Sequence, residues 1–82
     1  MTYRIIWEPS ATHAAVRFLK DDPTGLAAVY ETVDELAKVP RPSNSTAYGP
    51  NIRRLRVGNY RVLYLIDDSV IRILITHLGR TP

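Results

Sequence analysis

Residues 51–82 hold six arginines, at positions 53, 54, 56, 61, 72 and 80, and no lysine. A guanidinium is a planar fork of donors that grips a phosphate or carboxylate through paired hydrogen bonds, where an ammonium is only a point charge. Arginine also stays protonated, so it can stabilise negative charge but cannot carry a proton at neutral pH. The chemistry on offer is anion binding and stabilisation of charge developing on phosphorus. Residues 1–50 carry five Lys/Arg against six Asp/Glu, a net of −1, whereas residues 51–82 carry six arginines against two aspartates, a net of +4. That polarity implies a polyanionic partner, an acidic protein segment, or both.

The element that must position these arginines is Ile52 to Leu78. Gly58-Asn59 and Asp67-Asp68-Ser69 are turn chemistry and divide it into three short β-branched runs, an antiparallel meander. A two-residue loop at Gly58-Asn59 sets Val57 opposite Tyr60, Leu55 opposite Val62 and Arg53 opposite Tyr64 on one face. The other face then pairs Arg56 with Arg61, Arg54 with Leu63 and Ile52 with Leu65. A second two-residue loop at Asp67-Asp68 predicts Tyr64 opposite Ile71, Val62 opposite Ile73, Leu63 opposite Arg72 and Arg61 opposite Leu74. Leu55, Val57, Tyr60, Val62, Tyr64, Ile71, Ile73 and Ile75 form the apolar face. Arg54, Arg56, Arg61 and Arg72 stand among leucines on the other. Like charges directly opposed on a sheet are destabilising, so Arg56 against Arg61 makes sense where an anion sits between them. A single arginine would merely lay its stem on the sheet; the cluster around Arg61 reads as an anion site.

The rest of the chain supplies support. Tyr3 to Trp7 is a short strand. Ala11, Ala14, Ala15, Phe18 and Leu19 form one apolar helical stripe, with Glu8 or Ser10 as its cap. Asp22-Pro23 restarts the chain as a cap followed by proline at the first helical position. The second helix buries Leu26, Val29, Tyr30, Val33, Leu36 and Ala37 and stops at Pro40. Pro40 to Asn51 reads as a loop, with Tyr48 packing on the sheet edge or stacking on a base. The expected fold is α+β, β-α-α-β-β-β: a small antiparallel meander sheet covered on one face by a two-helix hairpin, with residues 1–82 as one domain. There are no cysteines, which fits a cytoplasmic location. The N-terminus lacks a signal-peptide pattern, and no apolar run is long enough to span a membrane.

Proton-carrying groups are sparse. His13 belongs with Arg17 and Lys20 on a solvated helix face. His77 follows Ile71, Ile73 and Ile75 by parity onto the helix-covered face, as a structural histidine. Two histidines with scattered carboxylates match no metal template, and no glycine-rich phosphate loop or nucleophile elbow is present. No metal and no cofactor is expected.

The run Arg54-Leu55-Arg56-Val57-Gly58-Asn59-Tyr60-Arg61-Val62-Leu63-Tyr64-Leu65-Ile66-Asp67-Asp68 resembles the signature of the RelE family of bacterial toxin–antitoxin toxins. Glu8-Pro9-Ser10-Ala11, Pro40-Arg41-Pro42, Gly49 and Leu78-Gly79-Arg80 support it, so the likeness spans essentially the whole chain. It implies an mRNA interferase acting in the ribosomal A site, the RNA 2′-hydroxyl attacking the adjacent phosphate, with an acidic or amphipathic RelB-like antitoxin as partner. Carried over by position, Arg61 and Arg54 are the catalytic candidates, Arg61 stabilising the phosphorane and Arg54 contacting the scissile phosphate. Arg56, Arg53, Arg72 and Arg80 are the candidates for holding RNA. The chain departs from the pattern at Ile52, where some relatives carry lysine, and at Thr81-Pro82, where relatives continue with basic residues and a tyrosine or histidine for proton transfer. That departure leaves the general acid unassigned and raises the alternative of a toxin fold with weak or no catalysis that binds only its antitoxin or nucleic acid; a ParE-like inhibitor of DNA gyrase is the other alternative, because that toxin group shares the fold.

Overall fold

A computed structural model of the protein describes residues 2–81. The strand β1 (Arg4–Trp7) leads into helices α1 (Pro9–Asp21) and α2 (Pro23–Glu35), followed by β2 (Ser45–Ala47), β3 (Ile52–Val57), β4 (Tyr60–Asp67) and β5 (Arg72–Arg80). The sheet order is β1-β5-β4-β3-β2, with β1 parallel to β5 and the other neighbours antiparallel. The fold is α+β as expected, and the meander gains a strand at each edge. The stretch expected to be a loop contains β2, whose residues Ser45, Thr46 and Ala47 pair with Leu55, Arg54 and Arg53. No described helix is long and apolar enough to cross a membrane.

Both helices lie on one face of the sheet. Ala11, Ala14 and Ala15 bring α1 close, and Leu26, Val29 and Val33 fill the space from α2. Against them pack Leu55, Tyr60, Val62, Tyr64, Ile66, Ile73, Ile75 and Leu78, all buried. Burying such a side chain contributes roughly 1.5–3 kcal/mol. Leu19 does not join the stripe expected for α1 and is exposed. Asp22 ends one helix and caps the next, accepting a hydrogen bond from the Gly25 N–H at 3.1 Å. The carboxylate lies so close that a Cβ on Gly25 would meet its Oδ2 at 2.1 Å, which is why this position is glycine. The Tyr60 hydroxyl donates to the same carboxylate at 2.9 Å, joining the helix hairpin to the meander.

The β3–β4 register is the one read from the sequence, from Val57 opposite Tyr60 to Ile52 opposite Leu65. Gly58 has φ 58°, the left-handed conformation a two-residue turn demands. The β4–β5 register differs. Asp67 pairs with Arg72, leaving 68–71 as a four-residue connection, and Tyr64 lies opposite Ile75. Asp67 causes the shift: its Oδ1 accepts from Ser69 N–H and Ser69 Oγ–H, folding the segment back locally. Ile71 closes the turn at φ 54°, a strained conformation for a β-branched residue. Further along, the register slips between Leu63 and Tyr64: Tyr64 pairs with Ile75 but Leu63 pairs with His77, so Thr76 is extra. This β-bulge reverses the facing of β5 beyond it.

Candidate functional site

The uncovered face of the sheet is built in rows, because paired residues point the same way. Asp67, Arg72 and Arg4 make one row, and Leu65, Leu74, Ile6 and Ile52 the next. Then come Arg54, Leu63 and His77, and finally Arg56, Arg61 and Gly79. The last two rows, Arg56 excepted, border a cavity of about 300 Å³ lined by Tyr48, Arg54, Arg61, Leu63, His77, Gly79, Arg80 and Thr81. Gly79 helps to open it. The strand partner of Arg61 is this glycine rather than the expected Leu74, so no side chain fills the space beside the guanidinium stem.

Among the described residues, no carboxylate lies within ion-pairing distance of Arg54, Arg56 or Arg61; the ion pairs present are Arg41–Asp68, Arg72–Asp67 and Arg80–Asp21. Arg56 and Arg61 are exposed and directly opposed, and Arg54 is half-buried with its guanidinium 5.0 Å from the centre of the Tyr48 ring. Three adjacent cations without internal neutralisation form a site of high positive potential.

The other arginines are distributed elsewhere. Arg53 faces the helix side, donating to Ser45 Oγ at 2.8 Å and to the Ser45 carbonyl at 3.2 Å, so it fastens β2 to β3. Arg72 is on the open face but six residues along β4 from Arg61 in register, about 20 Å away. It lies 3.9 Å from Asp67. Arg80 borders the cavity, but the bulge turns its guanidinium to the helix side, 2.7 Å from Asp21 and 4.8 Å from the Phe18 ring centre. The Asp21 carboxylate holds the Arg80 pKa above its ordinary value. The structure thus gathers Arg54, Arg56 and Arg61, and does not bring Arg53 or Arg72 to the cavity.

His77 corrects the parity reading. The bulge at Thr76 sends Leu78 into the core, 3% exposed, and leaves His77 exposed on the arginine face. Its Nε2 lies 3.2 Å from where a Cβ on Gly79 would stand, so the ring leans toward the Arg61 row. Tyr48, expected at the sheet edge or on a base, reaches the cavity wall and is 57% exposed. The sequence did carry a signal for the bulge: the inward residues Ile73 and Ile75 are two apart, and the next, Leu78, is three further on. Histidine is the side-chain type that both gives and takes a proton near neutral pH. The cavity therefore brings two guanidinium groups and one imidazole to a single wall of the open sheet face. No group of three or more metal-ligating side chains occurs among the described residues.

Comparison with known proteins places this geometry in context. The family model described as "ParE toxin of type II toxin-antitoxin system, parDE" matches residues 3–81. No curated protein sequence matches the chain. Among solved structures, the RelBE2 toxin–antitoxin complex of Mycobacterium tuberculosis aligns with a TM-score of 0.82 at 24% identity, over 99% of this chain and 100% of that one. The archaeal RelE–RelB complex of Pyrococcus horikoshii gives 0.78 at 24% identity, over 98% and 96% of the two chains. A mutant of the E. coli toxin RelE in the free state gives 0.79 at 19% identity, over 98% and 84%. At these identities the likeness is one of fold.

Proposed function

This chain belongs to the ParE toxin family of type II toxin–antitoxin systems, and we propose that the toxin is an endoribonuclease that cuts mRNA on the ribosome without a metal ion. The observation that carries the reading is the unneutralised trio Arg54, Arg56 and Arg61, of which Arg54 and Arg61 line a cavity together with His77 while Arg56 stands opposite Arg61. Attack of the RNA 2′-hydroxyl on the adjacent phosphorus forms a 2′,3′-cyclic phosphate as the bond to the 5′-oxygen breaks. Charge builds on the non-bridging oxygens, where Arg61 and Arg54 stabilise it with donors already in place. Arg56 holds the neighbouring backbone. The 2′-hydroxyl proton must leave and the 5′-oxygen must receive one, and His77 is placed to serve one of these transfers.

Replacing Arg61 with alanine tests this directly. Loss of one charge-stabilising donor lowers turnover about 10²–10³-fold. Because Arg61 is exposed and makes no ion pair among the described residues, the fold should be unaffected. Cleavage of ribosome-bound mRNA, mapped by primer extension, should disappear in R61A; full cleavage by that variant refutes the reading. The family description also favours a second reading, inhibition of DNA gyrase, since ParE-like toxins with that activity share the fold. Their helices are usually longer than the 13-residue α1 and α2. A supercoiling assay with purified gyrase separates the two.

A cognate antitoxin follows from the same reading, and two of the similar structures are toxin–antitoxin complexes. Its acidic or amphipathic segments would cover the arginine face or the sheet edges, and binding would raise stability by mass action. Antitoxin affinity should fall when Arg54, Arg56 and Arg61 are replaced together; unchanged affinity would place the antitoxin elsewhere.

A further inference from the structure

The cavity has two chemically different kinds of lining. Arg54 and Arg61 offer guanidinium groups to an anionic ligand. Tyr48 and Leu63, which lie against and opposite Arg54, add an aromatic face and an aliphatic side chain that the ribonuclease reading leaves unused. A free phosphate or an acidic side chain would have no use for that second lining. A nucleotide would, because it joins a phosphate to a flat base a few ångströms away.

Tyr48 is well suited to that task. The residue is 57% exposed, so burial in the core does not account for its position. Its backbone is nonetheless fixed. The N–H donates to the Ile52 carbonyl at 2.8 Å, and the residue before it, Ala47, pairs with Arg53, so the β2–β3 hairpin fixes the main chain that carries the ring. The Arg54 guanidinium carbon lies 5.0 Å from the ring centroid, over one face, which ties the aromatic ring to the phosphate-binding group and leaves the opposite face for a base. A cavity of about 300 Å³ is at the lower limit for ligand pockets, space for one nucleotide unit but not for a duplex.

We infer that Tyr48 is the stacking platform for a single unpaired nucleobase next to the phosphate held by Arg54 and Arg61. Stacking needs only a π-face, so the platform selects single-stranded over paired RNA and favours the larger purines over pyrimidines. The inference rests on the ribonuclease reading and adds to it a residue that sets which nucleotide is seated.

The test uses single-stranded 2′-O-methyl RNA hexamers, which lack the attacking hydroxyl and stay uncut, with binding to the full chain followed by fluorescence anisotropy. An abasic site is moved through the hexamer one position at a time. In the wild type, one abasic position should weaken binding about tenfold or more. Y48L should bind the intact hexamer more weakly by a similar factor and lose its sensitivity at that position, whereas Y48F and Y48W should keep both. If Tyr48 merely steers Arg54, Y48L would weaken intact and abasic hexamers equally, and the platform is overturned. The platform alone also falls if Y48L binds like the wild type while R61A does not. Failure of the wild type to bind any hexamer at low salt would overturn the platform, while cleavage of ribosome-bound mRNA decides the ribonuclease reading separately.

Discussion

The bulge at Thr76 decides what β5 contributes to each side of the sheet, and a pair of neighbouring substitutions tests it. In the bulged register Leu78 is a core residue, 3% exposed, and His77 is exposed beside the cavity. Unbroken alternation from Ile73 and Ile75 would put His77 inward and Leu78 outward. Truncating a buried leucine to alanine costs roughly 2–5 kcal/mol. In a domain of this length each kcal/mol shifts the melting temperature by about 4–8 °C, so L78A should fall by about 10 °C or more. An exposed side chain outside the core changes stability by only about 0.5 kcal/mol, so H77A should melt with the wild type. Cleavage should respond in the opposite sense. Loss of a proton-transfer group lowers rate about 10²–10⁴-fold, so H77A should be nearly inactive. L78A, assayed below its melting temperature, should still cut. Urea unfolding can be followed through Trp7, the single tryptophan, whose ring lies 5.2 Å from that of Tyr30. A destabilised H77A beside a neutral L78A would refute the bulge and the site built on it. Normal stability with full cleavage in H77A would leave the bulge standing and assign proton transfer to another group.

Three further outcomes follow from particular contacts. Arg53→Ala removes the two bonds to Ser45 and should cost about 1–2 kcal/mol in urea unfolding; cleavage below its melting temperature should fall far less than in R61A. Gly79→Ala would press a methyl within 3.2 Å of the His77 Nε2 and narrow the space beside Arg61, so the variant should cut more slowly than the wild type while melting within about 0.5 kcal/mol of it. Acid stability reports the β4–β5 turn: hydrogen bonds from Tyr3 and then Arg41 hold the Asp68 carboxyl below its usual 3.8, and Ser69 does the same for Asp67. Their contribution is complete above the usual carboxylate value and is lost as pH falls through the lowered ones, so D68N should show a shallower acid limb in urea midpoint against pH.

Local patterns made much of the fold legible. Gly58-Asn59 specified both the turn and the β3–β4 register, because two-residue hairpins leave little freedom. Asp22-Pro23 marked the break between the helices, and the pairing of Arg56 with Arg61 followed directly. The β4–β5 register was harder to read, since Asp67 and Ser69 fold the connection through side-chain bonds that no alternation rule contains. His77 was misplaced for a related reason: parity was extended across a residue that interrupts it, although the spacing of Ile73, Ile75 and Leu78 marked the interruption. The β2 strand has only three residues and was hidden among prolines and serines; its partner β3, not its own propensity, makes it a strand.

The arrangement of acids explains why the arginine face can act as a site. Asp22 caps α2, Asp21 holds Arg80, Asp67 shapes a turn, and Asp68 binds Tyr3 and Arg41. Glu31, Asp34 and Glu35 are exposed on or next to the outer side of α2, a layer away from the open sheet face. Every described carboxylate with an ion pair serves the helix side or the β4–β5 end, and none reaches Arg54, Arg56 or Arg61. The repulsion between Arg56 and Arg61 is therefore not relieved within the described residues, and on the proposed reading an anion that relieves it would raise stability. A histidine carried to the same face by one extra residue adds the proton chemistry that guanidinium groups lack. Charge left unneutralised and a strand left irregular meet at one cavity, and on the proposed reading both costs to folding serve the site.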